Sequence, residues 1–130
     1  MASYTTKIQS IYAWSGTGTG SISGQATDQG GTFTSTVTTF PASSTNASLT
    51  LAFTKANLQS SYIVADQNCT IKTNSSGSPS ETITLVAGIP HPTYKWSKSS
   101  GVTNPWTTDV TTAFVTCTSA TTIKIGILQS

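Results

Sequence analysis

Apolar residues along this chain return at every second position in short runs. No stretch of eleven or more residues carries the i, i+3, i+4, i+7 spacing of an amphipathic helix. Leu49, Leu51 and Phe53 alternate with Ser48, Thr50 and Thr54; Cys69 and Ile71 alternate with Asn68, Thr70 and Lys72; Ile123, Ile125 and Ile127 stand opposite Lys124. Successive side chains of a strand point to opposite faces, so each run predicts a strand with one dry and one wet side. Turn residues separate the runs at spacings of about 8 to 12 residues, the signature of a sandwich or barrel. Parallel strands would need crossover helices, for which no segment qualifies. The expectation is all-β: a single-domain antiparallel β-sandwich over residues 1–130, jelly-roll or immunoglobulin-like, with the N-terminal segment as an extended arm or exchanged strand.

Composition sharpens that reading. More than a third of the residues are Ser or Thr, arginine is absent, and 8% are charged, against about 25% in an average soluble domain. Threonine is β-branched and suits a half-buried pleated surface. A surface of hydroxyls lacks the charge that keeps monomers apart, which points to a protein that sits against copies of itself or a larger particle. Net charge is +2 and mean hydropathy −0.05, unlike a disordered chain. The six Lys are scattered, so no basic stripe for nucleic acid is expected. No window is apolar enough to span a bilayer, and the N-terminus lacks a signal-peptide core; the expected product is made in a cytoplasm and used uncleaved. The Asn-x-Ser/Thr triplets at Asn46, Asn68 and Asn74 are what so hydroxyl-rich a chain produces by chance.

Local patterns add detail. Ile8, Tyr12 and Trp14 share one strand parity and Lys7 and Gln9 the other. Glycines at 16, 18, 20 and 24 are expected to break regularity in SGTGTGSISG. Phe33 and Val37 share a face. The continuous run Tyr62-Ile63-Val64 predicts a strand covered on both sides, and NSSGSPS a turn. Glu81 has the parity of Ile83 and Leu85. A hairpin at Ser119-Ala120 is expected to join the last two strands.

Catalytic chemistry finds little to work with. The acids Asp28, Asp66, Glu81 and Asp109 are dispersed, and Asp66 and Asp109 read as acceptors of backbone N–H groups at turns. His91, the single histidine, lies between prolines, and no Gly-x-Ser-x-Gly elbow or phosphate loop is present. Cys69 and Cys117 read either as two buried thiols or as a disulfide linking two strands. No enzyme activity, cofactor or metal is expected. The candidate contact residues are Tyr94, Trp96 and Trp106, with Trp14 beside them. Flat aromatic rings can bind a partner or stack on sugars; they can equally seal the end of a core. Trp106, in the loop-like SKSSGVTNPWTT, is expected to be partly exposed.

In the second half an Asp (Asp66) precedes a strand ending in TNSSGSP; TITLVAG follows, then a Trp/Pro loop, then DVT before two closing strands. In this order of motifs the second half resembles small virion proteins of tailed bacteriophages. The resemblance covers residues 62–128, and the loop HPTYKWSKSSGVTNPW departs from it. It implies a β-sandwich that decorates or cements a capsid, with the major capsid protein or other virion proteins as partners, working as a homo-oligomer without catalysis. The competing expectations are a carbohydrate-binding or host-adhesion module and a self-assembling fibre or surface-layer subunit.

Overall fold

The computed structural model describes residues 3–130. It is all-β and antiparallel, with no α-helix among those residues. Ten strands form in chain order: β1 (Tyr4–Trp14), β2 (Gly20–Gly30), β3 (Thr32–Phe40), β4 (Ser44–Leu49), β5 (Leu58–Ala65), β6 (Cys69–Thr73), β7 (Thr82–Leu85), β8 (Trp96–Ser97), β9 (Ala113–Cys117) and β10 (Thr121–Gln129). Two four-stranded sheets, ordered β3-β10-β5-β8 and β4-β9-β6-β7, pack face to face, and β1 and β2 form a separate two-stranded ribbon.

The alternation sets which side chains enter the sandwich. Ile123, Ile125 and Ile127 of β10 face Ile71 and Val115 of the opposite sheet in one buried cluster with Ile63, Ile83 and Leu85. Burying side chains of this size contributes about 1.5–3 kcal/mol each. Leu51 and Phe53 continue the dry face of β4 although regular pairing stops at Leu49. On the inner side of β3, by contrast, Thr34, Thr36 and Thr38 stand opposite the β10 isoleucines. The Thr36 hydroxyl is the buried side-chain polar atom left without a partner among the described residues.

The expected hairpin at Ser119-Ala120 does not form. β9 pairs with β4 and β6, whereas β10 pairs with β3 and β5, so the link between them crosses from one sheet to the other. The steps from β3 to β4, β4 to β5 and β5 to β6 cross in the same way. A hairpin would have put Cys117 and Ile123 in one sheet, whereas the core needs one strand's dry face on each side. The expected turn at NSSGSPS does join neighbours, β6 and β7, with Asn74 in the left-handed region at φ 67°. The Asn74 side chain holds residues 108–111, accepting from Thr111 N–H at 2.9 Å and donating to Asp109 O at 2.9 Å.

Cys69 and Cys117 lie directly opposite each other on β6 and β9 as free, buried thiols. Burial, reinforced by Cys117 and Asp66, pushes the Cys69 thiol from 9.0 up to about 11. Asp66 and Asp109 take the structural role expected of them, accepting the N–H of Thr122 and of Lys55, each at 2.8 Å.

Candidate interaction surface

The aromatic trio is built into the body. Trp106 is 0% exposed, its ring edge-on to Phe53 at 4.8 Å and beside Tyr94 at 4.3 Å, and its Nε1–H donates to Ser61 Oγ at 3.2 Å. This overturns the expectation of a partly exposed Trp106. The loop around it lacks regular structure, but it folds inward because the end of the sandwich needs a large apolar plug and Ser61 satisfies the indole N–H. Trp96 is buried as well, donating to Val102 O at 2.8 Å, and Tyr94 is half-buried. None of the three presents an open ring face for stacking.

Glu81 organises this corner. Facing inward with Ile83 and Leu85, as its parity predicts, it accepts the Tyr94 hydroxyl, the Thr107 N–H at 2.7 Å and the Thr107 hydroxyl at 3.0 Å. Burial, with the hydrogen bond and charge of Glu81 added, pushes the Tyr94 phenol well above its ordinary range. His91 packs on Tyr94 and its Nδ1 accepts the Thr93 N–H at 3.2 Å; burial lowers its basicity. The corner is a clamp on the 86–112 loop.

The open surface lies on the β1–β2 ribbon. Its strands pair in unbroken register over eleven residues each, through Gly24, so the glycine-rich stretch interrupts the structure only at the turn. Ten residue steps make the ribbon about 33 Å long. Four strands span only about 14 Å from first to last, so a ribbon crossing the sheet must overhang it.

The contacts trace that crossing. The Tyr4 ring lies 6.0 Å from Phe33 on β3; Gly30 abuts Leu128 and the Gln129 carbonyl on β10 so closely that any Cβ would collide with backbone. Thr6 Oγ1 bonds Ser60 Oγ on β5 at 2.7 Å. Asp28, buried, accepts the Ser97 hydroxyl on β8 and the Ser99 N–H at 2.8 Å. Farther out, Lys95 Nζ reaches Ser10 Oγ at 3.4 Å, and a groove of about 590 Å³ separates Ile8 and Ala26 from Pro92 and Val102. Past Ser10 the ribbon runs free.

One face of the ribbon carries all of these contacts. Thr6, Ile8, Ala26 and Asp28 are paired on that face, and the same parity continues to Tyr12, Ile22, Trp14 and Gly20. There Tyr12 is 72%, Ile22 65% and Trp14 46% exposed. The Trp14 ring lies across Gly20, where a Cβ would strike it. The tip depression is lined by arm residues alone, from Ala13 to Ser15 and Thr19 to Ser21. No charged residue occurs between Lys7 and Asp28. The parity of Ile8, Tyr12 and Trp14 was legible in the sequence, and the uncharged stretch that follows was the signal that these residues, rather than Trp106, form the exposed apolar face.

No protein-family model matches the chain, and searches of curated proteins and of solved structures found no match.

Proposed function

We propose that this protein is a non-enzymatic structural subunit of a tailed-bacteriophage particle, a capsid decoration or cement protein that binds the outer capsid surface and stabilises it. The observation that carries the reading is the overhanging arm. A rigid sandwich projects an uncharged ribbon whose Tyr12, Trp14 and Ile22 are exposed beyond it, with only ribbon residues against Trp14 among the described residues. An isolated hairpin is marginal in water, so an apolar tip of this kind is suited to burial against another protein. The likeness of residues 62–128 to small virion proteins supplies the particle, and the low charge permits dense packing of copies.

Synthesis would take place in the host cytoplasm and residence would be on the virion, with the major capsid protein as partner and repeated weak contacts adding up on a symmetric surface. The test is mass spectrometry of purified particles together with rebinding of the protein to stripped capsids. Recovery in stoichiometric amounts, and rebinding lost in Tyr12→Ser/Trp14→Ser, is expected; particles with no copies would end the reading. A self-assembling fibre or surface-layer subunit is the second reading, favoured by the same overhang, and filaments of the protein alone in the electron microscope would select it.

A further inference from the structure

The arm crosses its own sheet on the outer face, and that face is only partly covered. Three rows of outward side chains run across β3, β10 and β5: Phe33–Leu128–Ser60, Ser35–Gly126–Tyr62, and Val37–Lys124–Val64. The arm base sits on the first row alone, where Leu128 and Ser60 are buried. The arm leaves the other two rows uncovered: Ser35 is exposed, Val37 is 65% and Tyr62 37% exposed, and the edge of the Phe33 ring lies over Gly126 between Ser35 and Tyr62. The run Tyr62-Ile63-Val64 predicted a strand covered on both faces, and within one chain only the Ile63 side is fully covered.

We infer that this open patch is the seat of a second copy's arm tip, so that Tyr12, Trp14 and Ile22 of one chain lie over Ser35, Val37 and Tyr62 of another. Three observations select a copy of this chain as the occupant. The contact continues one already made: the proximal half of the same ribbon face packs on the same sheet face within the chain. The spacing fits, because the open rows lie about 7 to 14 Å from the covered one, leaving room for a second ribbon beside the resident arm. Charge does not oppose the contact: the tip has none, and the patch has one, Lys124, standing between Val37 and Val64 in the third row.

Magnitude fixes how such a contact behaves. The tip side chains offer roughly 400 Å², scaled from about 150–250 Å² for a whole aromatic residue. A standard stable interface buries about 1,600 Å² in total, so one tip on one patch is weak. Association builds with concentration, or with the fixed spacing of a particle lattice, as each copy both gives a tip and receives one.

The inference rests on the arm being a contact surface, as in the proposed function, but does not depend on the particle. Sedimentation velocity of the purified protein over a concentration series tests it. The mass is expected to rise above one chain, and to return to one chain in Tyr12→Ser/Trp14→Ser and equally in Val37→Lys, with circular dichroism and Tm unchanged since all three positions are exposed. Chains bearing Tyr12→Cys mixed with chains bearing Val37→Cys are expected to cross-link under oxidised glutathione, while neither does so alone. A single-chain mass at every concentration, loss of association in only one of the two variants, or cross-linking of Tyr12→Cys chains with each other would overturn it. Absence of the protein from virions would sink the particle reading and leave this result standing. A single-chain mass would leave the particle reading with capsid contacts alone.

Discussion

The β1–β2 ribbon and the β5–β10 pair are both antiparallel ladders, and the ribbon is the more regular. Its register is unbroken, whereas β10 slips against β5 between Leu128 and Gln129. Yet β5–β10 holds the centre of the core, with Ile63, Ile123 and Leu128 fully buried, and the outer third of the ribbon is open on both faces. Ladder hydrogen bonds exchange for water and contribute a net 0.5–1.5 kcal/mol or so each; burial of a large side chain contributes about 1.5–3 kcal/mol without needing a better ladder. Regular pairing therefore says where the chain is extended, and the covering of its faces says how firmly it stays there.

That contrast breaks first at the tryptophans. Trp106→Ala is expected to cost about 3–5 kcal/mol in urea unfolding, the range for a fully buried aromatic. Trp14→Ala in the arm should stay within about 0.5 kcal/mol; equal losses would mean that the arm belongs to the core. Glu81→Ala should cost about 3 kcal/mol, since it strands the Tyr94 hydroxyl and the Thr107 N–H. Asp28→Ala should cost about 1–2 kcal/mol, and hydrogen exchange would sharpen the comparison: amides of residues 4–10 speed up while those of β5 and β10 do not. Thr36→Val is expected to gain about 1 kcal/mol, because a methyl replaces an unpaired buried hydroxyl.

The remaining comparison is alkaline. Tyr94 and Cys69 both have folded pKa values raised above their unfolded ones, so their contribution is complete at low pH. For Cys69 it is lost as pH rises from 9.0 to about 11, and for Tyr94 from 10.0 upward. The urea midpoint, followed from pH 8 to 11, should fall above pH 9, with the later part of the fall absent in Tyr94→Phe.

Much of the body was legible without coordinates. The buried sides of β4, β6, β7 and β10, and the inward Glu81, follow from parity alone, because a strand's side chains alternate whatever the sheet around it. Trp106 was not legible. Its loop carries Ser, Gly, Pro and Asn on every side, and only the distant Phe53, Ser61 and Tyr94 decide that it turns inward. Phe33 and Val37 were placed correctly on one face, but whether that face is wet or dry depends on which strand lies beyond it.

By itself, the order of residues determined that this chain is all-β, where most of its strands lie and which parity each one buries, since these are properties of a few neighbouring dihedral angles. Only the tertiary structure decided that successive strands pass back and forth between two sheets and that the aromatic corner closes on Glu81. It alone placed the uncharged ribbon across the sheet and beyond it. Those outcomes depend on pairings between residues tens of positions apart, selected by which faces can exclude water together, and no local period records that choice.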